Sequence, residues 1–146
     1  MPQDEPTDSP DIEVFEVFEG NSAFSQAAGL QITEAGPTRV VGWIDLDERH
    51  HQPFGLVHGG VLASAVESAG SIGATTAVWD QGLVAVGVNN NTNFVSSMSS
   101  GRVNVVAEAI VQGRTQQLWN VEIRRDGDDR LIATGQLRLA NVERRT

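Results

Sequence analysis

The run from Val61 to Val78 constrains this chain more than any other feature. Val61, Leu62, Val66 and Ile72 recur at helical spacing, and the positions between them are nearly all small: Ala63, Ser64, Ala65, Ala69, Gly70, Ser71, Gly73 and Ala74. A glycine inside a helix costs up to about 1 kcal/mol relative to alanine, so two of them call for compensation by close packing against another backbone. The spacing therefore predicts one long helix held tightly by a sheet.

The flanking segments supply such a sheet. Leu30 and Ile32 alternate with polar neighbours, Gly36-Pro37 reads as a turn, and Val40 to Leu46 alternates again, which predicts two early strands in a hairpin. Beyond Gln81-Gly82, four strand-like stretches follow, roughly Leu83 to Phe94, Arg102 to Val111, Gln116 to Arg125 and Arg130 to Asn141. Their separators, Ser99-Ser100-Gly101, Gln112-Gly113-Arg114 and Asp126-Gly127-Asp128, carry turn residues. Such short connections imply antiparallel pairing, and the four strands are expected to form a meander.

At 146 residues the chain fits one domain, with no room for a separate cofactor domain. Residues 1–20 carry seven acids and no base, which reads as a solvated acidic extension that Val14, Phe15, Val17 and Phe18 can pin to the domain of residues 21–146. The formal charge of −9 disfavours nucleic acid, and a polyanionic ligand would need locally gathered arginines. There is no Cys, Tyr or Lys, which removes thiol nucleophiles, phenol acids, Schiff-base lysines, Cys-ligated zinc and the P-loop. No basic-then-apolar leader and no apolar run near eighteen residues are present, so a cytoplasmic protein without a membrane span is expected.

Chemistry concentrates around the start of the predicted helix. Gly59-Gly60 leaves backbone N–H groups free at a positive helix end, where they can serve as an oxyanion hole or simply make a tight turn. Glu67 sits mid-helix among Ala63, Ala65, Val66, Ala69 and Gly70. Burying its carboxylate would cost several kcal/mol unless it is partnered or functional; the plainer readings are an exposed polar face with Ser64, Ser68 and Ser71, or a structural hydrogen bond. Ser71 follows at i+4 and can hold water or steer the carboxylate. Gln52 and His58 can complete a donor set, with turn packing as the alternative for His58, while His50 and His51 read as surface loop residues. The three histidines and Glu67 lack the i, i+4 His pair of a helical zinc site, so no metal is expected.

Helix geometry adds a further inference. Gly59 and Glu67 stand about 12 Å apart along a helix axis, too far for one carbonyl to touch both. Two copies of the helix running antiparallel across a twofold axis would bring the start of one to Glu67 of the other, predicting composite sites, two per dimer.

The segment Gln52-Pro53-Phe54-Gly55-Leu56-Val57-His58-Gly59-Gly60, followed by Glu67-Ser68 and Gly70-Ser71, resembles the hotdog-fold thioesterases of the PaaI and 4-hydroxybenzoyl-CoA thioesterase (Arthrobacter-type) group. Downstream, Val86-Gly87-Val88, Asn91, Asn93, Phe94-Val95-Ser96-Ser97, Gly101-Arg102-Val103 and Gln117-Leu118-Trp119 extend the likeness over roughly residues 28–142. The resemblance implies an α+β hotdog fold, one long central helix wrapped by a roughly six-stranded antiparallel sheet, in dimers with a joined sheet and usually a dimer of dimers. It implies Glu67 as nucleophile or general base, the partner subunit's Gly59 N–H polarising the thioester carbonyl, Gln52 and His58 supporting that end, and Ser71 orienting water or Glu67. No cofactor is implied, since the CoA thioester is itself the substrate.

For substrate and CoA the resemblance points to Gly60, Gly87, Phe94, Val95, Ser96, Ser97, Gly113 and Arg114. Relatives often carry a basic residue where Ser96 stands, which shifts phosphate binding here toward Arg114, Arg102 and backbone amides. Two other functions share such a fold: hydratase or dehydratase chemistry, whose His would fall near Gln52, and a non-catalytic acyl-CoA-binding module.

Overall fold

The computed structural model describes Val14 and residues 22–145. Among the described residues two α-helices and six strands follow in chain order: α1 (Ala23–Ala28), β1 (Gln31–Ala35), β2 (Arg39–Leu46), α2 (Gly59–Val78), β3 (Leu83–Phe94), β4 (Gly101–Gln112), β5 (Gln116–Arg125) and β6 (Leu131–Glu143). Apart from α1, these match the predicted elements to within one or two residues. Helix α1 starts on the Ser22 hydroxyl, which accepts from Ser25 N–H, and stops at Gly29 in the left-handed region at φ 82°. Of the apolar residues expected to pin the acidic extension, Val14 is fully buried and the others lie outside the described residues.

All six strands join one antiparallel sheet in the order β1-β2-β4-β5-β6-β3. The expected four-strand meander is therefore only three strands long, β4-β5-β6, and β3 lies beyond β6 at the far edge. Packing explains this, because β3 runs along α2: Thr75 Oγ1 accepts from Ala85 N–H at 3.1 Å, and Asn90 Nδ2 donates to the Ala63 carbonyl at 2.9 Å. On leaving β3 the chain stays with β6, as Val95 and Ser96 N–H both donate to Ile132 O. It then reaches β4 past Met98, whose carbonyl accepts from Val57 N–H at 2.8 Å.

The sheet wraps α2 through its inward residues, among them Val40, Ile44, Val105, Trp119, Val121, Ile123, Leu137 and Leu139, all fully buried. The small residues of α2 meet large ones on the sheet. A Cβ on Gly70 would fall 2.8 Å from Leu137 Cδ2, and one on Gly73 would fall 2.6 Å from Trp119 Cζ3. Close packing thus offsets the poor helix propensity of glycine. Although α2 and its short continuation, Gly59–Gln81, are long and apolar enough to cross a membrane, 61% of that apolar window is buried inside the fold.

Gly73→Ala sets two effects against each other. Alanine gains about 1 kcal/mol of helix propensity, whereas overpacking a filled core costs about 1–3 kcal/mol and sometimes more. Trp119 has no free space to retreat into, since it is fully buried and its Nε1 donates to Gln117 Oε1 at 3.0 Å. The clash wins, and a net loss of about 1–2 kcal/mol is expected, read as a lower urea midpoint at unchanged slope. A raised midpoint would mean the indole does not sit against this face of α2.

His50 departs from its expected place in a surface loop. It is 3% exposed, with Nδ1 accepting from Asp47 N–H at 3.1 Å and Nε2 3.1 Å from Ala27 O, so it must donate there. Its own carbonyl accepts from His58 N–H at 2.7 Å, so one residue ties α1 to the entrance of α2. His51 is half-buried, its Nε2 2.6 Å from Ser99 O. The turn bearing His50 is capped by Asp47, whose carboxylate the Arg49 side chain and N–H hold down at a pKa of about 2. Asp128 is likewise lowered to about 2, chiefly by Arg125. A carboxyl depressed on folding adds stability above its unfolded value near 4 and loses it as the pH falls toward about 2. Denaturant midpoints are therefore expected to drop across that window, and an Asp47→Asn, Asp128→Asn variant should show a shallower drop; an unaltered acid slope would contradict the assignment.

Candidate active site

The entrance of α2 is built from its own cap. His58, in extended backbone, is the N-cap, and its Nδ1 accepts from Gly60 N–H at 2.8 Å. Nδ1 is thereby an acceptor, so neutral His58 carries its proton on Nε2 as an outward donor. The Val61 N–H bonds back to His58 O, while the Gly59 N–H has no partner among the described residues. One amide at the positive end of a twenty-residue helix thus has no partner among the described residues.

Phe94, at the end of β3, lies directly on that amide's residue. A Cβ at position 59 would stand 2.7–3.0 Å from three carbons of the ring, so glycine is what lets the ring approach. Gln52 lies in the preceding loop, where His51 and Val57 form an isolated bridge. Its Oε1 accepts from Phe54 N–H and its backbone carbonyl from Gly55 N–H, leaving the Nε2 donor unused among the described residues.

Two turns along α2, the Glu67 carboxylate lies exposed between the helix and β3. A Cβ on Gly87 would stand 2.9 Å from Glu67 Oε1, so the carboxylate occupies the space that glycine leaves open. No hydrogen bond or ion pair reaches it among the described residues. The β3–β6 pairing slips just here, with a bulge between Gly87 and Asn89. The inward parity of β3 changes across the bulge: Ala85 and Gly87 face α2 before it, Asn90 and Phe94 after it. Ser71 is half-buried one turn beyond Glu67. Gly59 and Glu67 are not brought together within the chain, their separation along α2 being about 12 Å.

The other candidates divide between two places. Val95 and Ser96 follow Phe94, and Ser97 beside them is exposed. Gly113 and Arg114 line a cavity of about 350 Å³ at the opposite end of α2, together with Ala77, Gln81 and Gln112. Arg102 is no free cation: Asp45 holds its guanidinium at 2.7 and 2.9 Å, and it stacks on Trp43 at 3.8 Å. The sequence reading missed Asn90, which spans from β3 to the Ala63 carbonyl and accepts from Thr92 Oγ1 at 2.7 Å. Its signal was the polar run Asn89 to Asn93 inside a strand, where asparagine is disfavoured. Among the described residues no cluster of potential metal ligands occurs.

One long helix wrapped by a six-stranded antiparallel sheet is the hotdog fold, and the relatives that share it make this chain a thioester hydrolase. The chain belongs to the thioesterase superfamily, whose profile matches residues 54–132. A solved Mycobacterium tuberculosis protein named as an esterase superposes with a TM-score of 0.81 at 45% identity, covering 86% of this chain and all of that one. A Haemophilus influenzae thioesterase structure gives 0.81 at 29% identity, over 94% of this chain and 92% of its own. The 1,4-dihydroxy-2-naphthoyl-CoA hydrolase of Listeria monocytogenes is 32% identical over 120 residues, 82% of this chain and 96% of that protein.

Proposed function

We propose that this protein hydrolyses an acyl- or aroyl-CoA thioester to the free acid and CoA in a composite site of a homodimer. The observation that carries the reading is that two groups on one helix have no partner among the described residues, the Glu67 carboxylate beside Gly87 and the Gly59 N–H beneath Phe94. The thioester carbonyl oxygen accepts from the Gly59 N–H of one protomer, with Gln52 Nε2 and His58 Nε2 as further donors. Glu67 of the other protomer takes a proton from the attacking water and passes it to the sulfur as the C–S bond breaks, or attacks the carbonyl carbon to form an anhydride that water then hydrolyses, the departing sulfur taking its proton from solvent. Either way the free acid and CoA thiol are released, with Ser71 orienting the water or the carboxylate. No cofactor enters.

Edge strand β3 supports the dimer. It is twelve residues long and lies at the end of the sheet with Val86 and Val88 about half exposed, a surface that a second copy of the strand would cover. Pairing there sets two α2 helices side by side, and we place a dimer of dimers above it. Gly87, Phe94, Val95, Ser96, Ser97, Gly113 and Arg114 are the proposed contacts for substrate and CoA. Gly60 is a further proposed contact through its backbone, its amide being taken by His58 Nδ1 and the His58 ring lying where a Cβ would stand. The Listeria relative's name favours an aromatic acyl group, and the cytoplasm is the proposed location.

The test is thiol release from benzoyl-, phenylacetyl-, naphthoyl- and fatty acyl-CoAs. Turnover of at least one is expected. Hydration of crotonyl-CoA without CoA release would make the protein a hydratase, and tight CoA-ester binding with no thiol over hours would make it a binding module.

A further inference from the structure

The chain carries a formal charge of −9, so any polyanion it binds must meet arginines not already neutralised. Five described arginines are committed to carboxylates: Arg39, Arg49, Arg102, Arg124 and Arg125. Arg130 is held differently. Its Nε donates to the Ser96 hydroxyl at 3.1 Å, no carboxylate lies within ion-pair distance among the described residues, and neither terminal nitrogen has a partner.

Its position matters as much as its charge. Ser96 is two residues beyond Phe94, so its Cα lies within about 8 Å of the residue whose ring covers Gly59. Val95 and Ser96 N–H both donate to Ile132 O, at 2.8 and 3.1 Å, which pins this segment to the start of β6 beside Arg130. The acids of the adjacent hairpin are partly engaged: Asp128 holds Arg125 and the Arg130 N–H, and Asp126 accepts from Asn104 Nδ2 at 3.0 Å. A guanidinium with its Nε fixed and its outer face free can present two parallel donors to a phosphate.

We propose that Arg130, steadied by Ser96, is a phosphate anchor for the CoA half of the substrate and sets the preference for CoA esters over esters of shorter thiols. The proposal rests on the acyl-CoA reading above and adds a residue to it. Arg130 touches the carrier and not the breaking bond, so its removal acts on binding. Ser96 is a positioning residue that acts through the guanidinium.

Calorimetry with free CoA and with pantetheine, which lacks the phosphates, tests this without requiring turnover. Arg130→Gln is expected to weaken CoA binding about tenfold, the factor for one charge-assisted contact at an exposed rim, and to leave pantetheine binding as it was. Arg130→Lys should recover part of the loss, Ser96→Ala should cost less than Arg130→Gln, and the difference between CoA and pantetheine should shrink with added salt. Arg39→Gln, which removes an arginine paired with Glu108, should change neither ligand. Equal weakening of CoA and pantetheine in Arg130→Gln, unchanged CoA affinity, or no CoA binding by the wild type would overturn the proposal. Absence of thiol release from every ester, with CoA binding still dependent on Arg130, would instead sink the hydrolytic reading alone.

Discussion

Glu67→Gln is expected to lower kcat for a benzoyl-CoA-type substrate about 10²–10⁴-fold, roughly 3–5 kcal/mol of barrier, while the protein stays folded. Glutamine keeps the volume and shape of the side chain but neither attacks a carbonyl nor takes a proton. Stability should scarcely change, because Glu67 is exposed in the single chain and makes no hydrogen bond or ion pair among the described residues that the substitution would break. Exposed substitutions of this kind stay within about 0.5 kcal/mol. Rate and melting should therefore separate cleanly. A variant that keeps its rate removes Glu67 from the mechanism, and one that loses rate only by unfolding points to a structural carboxylate.

Gly59→Pro is expected to reduce kcat about 10²–10³-fold, the usual loss on deleting one oxyanion donor. Proline lacks the N–H and suits the first helical position, and His58 at φ −66°, ψ 128° already has the extended backbone that a residue before proline needs. The added ring carbons meet Phe94, but that residue is 58% exposed and its ring can swing aside. Gly59→Ala isolates that displacement, since it adds the same Cβ and keeps the amide. Alanine should retain most of the rate that proline loses; equal losses would assign the effect to the ring. If the site is shared between protomers, mixing Glu67→Gln with Gly59→Pro subunits creates one intact site in each mixed dimer. Statistical exchange then restores about a quarter of the wild-type activity, and no recovery on exchange would place each site within one chain.

How much of this was legible depends on distance along the chain. The helix and the strand ranges could be read because hydrophobic periodicity and turn residues act over a few positions, as in Gly36-Pro37 and Asp126-Gly127-Asp128. The glycines of α2 announced tight packing but not their partners, Leu137 and Trp119, which lie more than forty residues downstream. His50 looked like a loop residue, because nothing local indicates that its ring nitrogens will meet the Asp47 amide and the Ala27 carbonyl. Arg102 and Arg130 appear equally available in the sequence. Only pairing of β2 with β4 sets Arg102 against Asp45, while the start of β6 leaves Arg130 on a serine.

The sequence by itself determined the elements and the groups proposed to carry chemistry: a small-residue helix, a carboxylate in its middle, two glycines at its start, and strands enough to enclose it. Tertiary structure decided that β3 leaves the meander for the edge beside β6, that His58 takes the Gly60 amide and leaves that of Gly59, and that a bulge opens Gly87 to Glu67. The physical reason is one of range. Backbone preference and side-chain periodicity are properties of neighbours in the chain, whereas strand order, hydrogen-bond satisfaction and free charge are settled by which distant surfaces fill each other's space.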